Sequence, residues 1–227
     1  MTAPPPPGNG QAEHLTDAQR SLRAQLLATE HWSLLASRST TQSEVLTRIA
    51  IFLTLVSAGL VTLGFLGQAS GFRGWFGAAS LGVLLALALL GLVTEIRAFN
   101  TASEDLMYVV AMNRLRAAYV ELDPGLERYL MASAHDDEAG AVATYHFFYR
   151  RGTSPVLGSS MMIITIVEGI VVGLLAGGTS WALGAHPIVA AVIGAVVTVA
   201  VVGVSLFLGM RMYRKTFRFH RPLRPSD

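Results

Sequence analysis

The chain contains no cysteine. Disulfides, thiolate metal sites and thiol nucleophiles are therefore excluded together. Charge is also scarce: 14% of the 227 residues are Asp, Glu, Lys or Arg, against about 25% in a soluble globular chain. The opening MTAPPPPGNGQAEHL has neither a basic start nor an apolar centre, so no signal peptide is expected and the first apolar run is expected to act as an uncleaved anchor. Catalytic signatures are missing as well. There is no GxSxG elbow, and no pair of histidines four apart with a glutamate to suggest a zinc hydrolase. The sequence offers no catalytic residue, no metal site and no cofactor, and a protein that is not an enzyme is expected.

What is abundant is apolar sequence, with 52% hydrophobic residues and a mean hydropathy of +0.49. Four runs stand out, Ile49 to Leu66, Trp75 to Ile96, Val156 to Leu175 and Ile188 to Met210. Each supplies about 20 residues, enough to cross ~30 Å of hydrocarbon as a helix. The fold class expected is all-α, a polytopic membrane protein with four transmembrane helices and a cytoplasmic helical layer. Of the 17 Lys and Arg residues, Arg73 alone lies in a connection on the far side; the rest flank the runs on one side. Excess positive charge marks the cytoplasmic face, which places both termini inside. The pI of about 9.2 then reads as attraction to anionic lipid, with no nucleic-acid partner.

The chain divides by composition. Residues 1–15, rich in Pro and Gly, are expected to be disordered. Thr16 and Gln19 fit a capping box that opens an amphipathic cytoplasmic helix over 16–40, carrying Leu22, Leu26, Leu27, Trp32, Leu34 and Leu35. At its end, SRSTTQSE (Ser37 to Glu44) reads as a hinge, with Thr41 and Glu44 available to cap the helix that enters the bilayer at about Ile49. The first two spans occupy 41–99, a cytoplasmic helical connection 100–154, the last two spans 155–212 and a basic tail 213–227. The second span is expected to continue as one helix to the turn at Asp123, Pro124 and Gly125. A further helix is expected over Asp136 to Arg150, with a stop and restart at Gly152 and Pro155. GQASGFRG (Gly67 to Gly74) and GGTSWALGAHP (Gly177 to Pro187) read as short outer connections, with Trp75 and Trp181 in the outer headgroup belt.

At ATEHWSLLASRS, Ala28 to Ser39, and at MNRLRAAY, Met112 to Tyr119, the chain resembles a group of uncharacterised bacterial four-span inner-membrane proteins with the same layout. The resemblance covers the first helix, the entry to the first span and the middle connection. It implies a bacterial inner-membrane location and carries no site residue.

One carboxylate interrupts the third run. Glu168 lies near its middle, where a charged residue costs about 2.5 to 3.5 kcal/mol on insertion scales. Thr165 precedes it by three residues on the same helical face, and Gly169 follows in a stripe with Gly173 and Gly177. Glu168 is therefore expected to border a protein-facing seam, as a candidate intramembrane polar site with Thr165. A neutral carboxyl bonded to Thr54, Ser57, Thr62 or Thr198 is the structural reading; an ion or proton site is the functional one. Further small-residue stripes run along Ala50, Thr54, Ala58 and Thr62, along Ala78, Gly82 and Ala86, and along Ala190, Gly194 and Thr198. They read as helix packing within one subunit or between copies of a homo-oligomer.

Other charged groups have plainer readings. Glu95 and Arg48 lie at the inner ends of their spans, placed to pair weakly at the interface or stay solvated. HDDE, His135 to Glu138, with His146 on the same expected helix, suits a helix cap better than a metal site. Arg211, Arg214, Lys215 and Arg218, interleaved with Tyr213, Phe217 and Phe219, suit lipid headgroups. The function expected is a homo-oligomeric channel or pore-like protein with Glu168 near a polar path. The alternative is a membrane-anchored scaffold or signalling effector that binds a cytoplasmic protein partner through its cytoplasmic helices.

Overall fold

The computed structural model describes residues 16–148, 158–218 and 220–226. The expected disordered tail, Gly152 and Pro155, and Phe219 lie outside the described residues. The elements are α1 (Asp17–Ser70), α2 (Phe76–Leu122), a 3-10 turn (Pro124–Tyr129), α3 (Glu138–Tyr145), α4 (Ser160–Ala182) and α5 (Pro187–Arg218). No strand occurs among the described residues. Helices α1, α2, α4 and α5 are each long and apolar enough to cross a membrane.

At 1.5 Å per residue, the 54 residues of α1 and the 47 of α2 extend about 80 and 70 Å. Both outrun a bilayer's hydrocarbon core, and they pack as one antiparallel hairpin. The Tyr119 hydroxyl donates to the Leu27 carbonyl at 3.0 Å, Arg38 meets Asp105 at 2.6 Å, and Gly59 faces Leu87. Thr16 and Gln19 form the expected capping box, and α2 runs unbroken to its C-cap at Asp123. At the other end of α1, Gly71 takes a left-handed φ of 62°, a conformation that stops a helix at little cost to glycine.

The hinge expected at Ser37 to Glu44 is helix throughout. Two causes are visible. The Thr40 and Thr47 hydroxyls donate back to the Ala36 and Ser43 carbonyls, so these side chains do not compete for the helix's own amides. Arg38 and Gln42 share the Asp105 carboxylate of α2, which clamps this stretch from outside. Thr41 and Glu44 cap nothing; Glu44 binds Arg48 at 2.9 Å and Arg97 at 3.1 Å.

Helices α4 and α5 form a second, tighter hairpin. A Cβ at Gly173 would overlap Thr198 Oγ1 and the Gly194 carbonyl oxygen, and Gly177 faces the Ala190 carbonyl oxygen in the same way. The Gly169, Gly173, Gly177 and Gly194 stripes are thus used within the subunit. Gly82 differs, since nothing lies within 4 Å of where its Cβ would stand. The expected outer connections shorten accordingly, to 71–75 and 183–186. Gly177 to Ala182 stays helical because α5 packs on Gly177 and Leu81 of α2 meets Gly178, while Thr179 and Ser180 donate to the Leu175 and Ala176 carbonyls. Trp75 and Trp181 are exposed at this same end.

The opposite end is a polar layer with a small core of its own, where Leu106, Val109, Met112 and Ala141 are buried against Leu34 and Phe217. Asn113, fully buried, donates to the His135 carbonyl and accepts from Arg116 and Thr144. Helix α3 is shorter than expected: it starts at Glu138 and ends at Tyr145.

Candidate functional site

The hairpins meet where α2 crosses α4, and polar groups are buried there. Thr165 is 1% exposed, Glu168 2% and Glu95 4%. Thr165 and Glu168 lie one turn apart on α4, as their spacing predicts. Thr165 Oγ1 donates to Glu95 Oε1 at 2.8 Å, so α2 supplies a second carboxyl to the site. One turn before Glu95, Gly91 has no side chain; a Cβ there would overlap the Glu168 carboxyl and crowd the Phe52 ring of α1. Because α2 and α4 run antiparallel, Gly91 faces Glu168 as Glu95 faces Thr165. The two acids therefore sit about one helical turn apart in depth.

This arrangement corrects the reading of Glu95. It is buried instead of solvated, and Arg48 pairs with Glu44. It also corrects the partners expected for Glu168. Thr54, Ser57 and Thr62 are exposed and donate to their own helix at Ala50, Leu53 and Ala58, and Thr198 donates to Gly194. Glu168 Oε2 is buried without a hydrogen-bond partner among the described residues. Its position is about 12 Å from the start of α4 at Ser160 and about 21 Å from the end at Ala182. No cation from any helix pairs with either carboxyl among the described residues.

Beside these acids lies a cavity of about 1060 Å³. Its floor is α4, one wall is α2 and the other α5, because α5 packs along α4 and approaches α2 only sparsely. Glu95 and Glu168 line it with Leu92, Val172, Ala200 and Val204. Towards the polar layer the lining changes to Arg211, Arg214, Lys215 and Arg218, all exposed. The four residues expected at lipid headgroups thus form one rim.

The HDDE segment does more than cap a helix. Asp137 accepts from the Gly140 amide as the N-cap of α3, and its carboxylate also holds the Ser226 amide at 2.6 Å and hydroxyl at 2.9 Å. Asp136, fully buried, accepts from the Leu223 and Arg224 amides at 3.1 and 2.8 Å and from Arg114 at 2.8 Å. Burial alone would raise its pKa, but those amides and the guanidinium outweigh it and hold the carboxyl below its ordinary range. Residues 220–226 are thereby strapped to the polar layer, where the sequence suggested only a basic tail. No group of three or more His, Asp or Glu able to hold a metal occurs among the described residues.

Sequence reasoning missed Gly91 and Phe52 and misplaced Glu95. The available signal was the matched spacing: Gly91 to Glu95 on one run, Thr165 to Glu168 on another, in opposite directions. Comparison with family models, curated proteins and solved structures finds no match to this chain.

Proposed function

We propose that this is a multi-pass protein of a bacterial inner membrane, both termini cytoplasmic, that passes protons or small cations along a path containing Glu168 and Glu95. One observation carries the reading: a buried carboxyl oxygen of Glu168 has no partner and lies beside a second buried acid on a large cavity. Leaving such an oxygen unpaired costs about 1–3 kcal/mol. Exchange of a proton or cation at the pair accounts for keeping it; packing alone does not. Intramembrane acids facing a cavity mark ion and proton pathways in general.

The distribution of basic residues supports the orientation, with Arg73 alone on the far side. The polar layer then lies in the cytoplasm and the rim of the cavity at the inner leaflet. One subunit offers a groove open along its side, so a continuous path needs a second copy. The exposed stripes along Ala50, Thr54 and Ala58 and along Ala78, Gly82 and Ala86 are surfaces on which helices of two copies can approach closely. The reading assigns no catalytic residue.

The test is flux in liposomes followed by an internal pH or cation dye, with Glu168→Gln and Glu95→Gln compared with wild type. Loss of flux in Glu168→Gln, with the oligomer intact by crosslinking, is expected. A wild-type protein that passes neither protons nor Na⁺ or K⁺, together with a Gln variant that is merely more stable, would make the site structural.

A specific observation also favours the scaffold reading. Trp32 is 71% exposed and shares α1 with exposed Leu22 and Leu26, well beyond the apolar run. Site-specific crosslinking from Trp32 to a distinct cytoplasmic protein would support it, and crosslinking only to other copies would remove it.

A further inference from the structure

We infer that the cavity between α2 and α5 is a binding site for one anionic phospholipid of the inner leaflet. The headgroup phosphate sits among Arg211, Arg214, Lys215 and Arg218, and an acyl chain lies along Leu92, Val204 and Leu208. This goes beyond the ion path and stands whether or not ions move.

Size is the first reason. A proton or cation needs only a few oxygen ligands, whereas about 1060 Å³ is at the top of the ~300–1,000 Å³ range of pockets for whole organic ligands. The lining is overwhelmingly apolar below the rim. Glu95 and Glu168 are 4% and 2% exposed, so they present almost no surface to a chain sliding past them.

Charge is the second. Arg38, Arg48, Arg97, Arg114 and Arg224 each contact a carboxylate. Arg211, Arg214, Lys215 and Arg218 form no ion pair among the described residues, yet all four line this cavity. Four uncompensated cations around one opening call for an anion, and basic pockets between membrane helices bind anionic headgroups. Register is the third: Arg211 directly follows the last apolar run, and Leu208 and Val204 lie one and two turns below it on the cavity wall. A free phosphate would satisfy the rim and leave the apolar length unexplained. A phospholipid satisfies both.

The probe is the intact protein in detergent, titrated with phosphatidylglycerol or with phosphatidylcholine and read by native mass spectrometry. Retention of phosphatidylglycerol in preference to phosphatidylcholine is expected. Arg211→Gln with Lys215→Gln should weaken it about tenfold or more, since each basic residue contributes on the order of 1 kcal/mol to anionic-lipid attraction. Arg20→Gln with Arg128→Gln, the same charge loss away from the cavity, should leave it unchanged. Ala200→Trp and Leu92→Trp fill the cavity from opposite walls with every charge kept, so a fold defect in one leaves the other to decide. Both are expected to lose the lipid. Undiminished binding in a folded Trp variant would reduce the rim to general surface attraction and overturn the inference, as would equal retention of both lipids. Binding of inorganic phosphate as tight as that of phosphatidylglycerol would overturn it too.

Discussion

Gly91 on α2 leaves open the volume that the Glu168 carboxyl of α4 occupies, since a Cβ at position 91 would overlap that carboxyl. Replacing glycine by alanine in a helix normally stabilises by about 1 kcal/mol. At position 91 the sign should reverse, with Gly91→Ala costing about 1–3 kcal/mol through overpacking. Gly82→Ala, where the new atom meets nothing within 4 Å, should be neutral or stabilising. Adding Glu168→Ala to Gly91→Ala should restore most of the loss, because the overlapping group is gone. Thermal unfolding in detergent reads these chains together with Glu168→Ala alone, and purely additive effects of Gly91→Ala and Glu168→Ala would sink the pairing of the two positions.

The α4–α5 seam gives a sharper case. A methyl at Gly173 would overlap Thr198 Oγ1 and the Gly194 carbonyl, the second of which is backbone and cannot turn aside. Gly173→Val is therefore expected to separate the hairpin and cost at least about 3 kcal/mol, at the upper end of overpacking penalties. Crosslinking by a bifunctional thiol reagent between cysteines introduced at Leu174 and Ala191, exposed residues that line the groove between α4 and α5, should fall in parallel, within one subunit. If crosslinks at that pair form mainly between subunits, the stripe belongs to an oligomer seam instead.

Much of this architecture could be read from local pattern. The capping box at Thr16 and Gln19, the four apolar helices and the run of α2 to Asp123 all follow from neighbours within a few residues. What escaped was non-local. Ser37 to Glu44 carries residues common in breaks, and only Asp105, more than sixty positions away, reveals why Arg38 and Gln42 belong to a helix. Glu95 looked like an interfacial acid because Thr165 lies seventy residues on. The strap of 220–226 needs Asp136 and Asp137, which any local reading assigns to a cap.

His31 should make the far end of the α1–α2 hairpin sensitive to acid. Burial, and then the nearby Arg116 guanidinium, hold its pKa below the ordinary 6.5, and its Nδ1 is buried without a partner. The ring stacks on Tyr119 with centroids 5.9 Å apart. A depressed histidine pKa means that the unfolded chain binds the extra proton first. Its contribution is complete above 6.5 and shrinks as pH falls from there towards the folded value. Amide exchange in 17–40, corrected for intrinsic rates, should accelerate below pH 6.5 in wild type but much less in His31→Phe. Identical profiles for the two chains would clear His31 of the role.

The strap responds to acid too, but at lower pH. Asp136 is held below its ordinary 3.8, since the Arg224 and Leu223 amides and the Arg114 guanidinium overcome the effect of burial. The folded state therefore binds its proton later than the unfolded one. The stabilisation is fully present above 3.8 and is lost only as pH falls through the depressed value. At neutral pH the Leu223 and Arg224 amides should thus be strongly protected from exchange. In Asp136→Ala they lose a charged acceptor, and such bonds contribute about 1.5–3 kcal/mol. Their exchange should rise by one to two orders of magnitude, on the order of tenfold per 1.4 kcal/mol. Asp137→Ala should free Ser226 while leaving Leu223 and Arg224 protected, because separate carboxylates hold them. If both variants release all three amides together, the segment docks through its apolar contacts and the paired aspartates only follow.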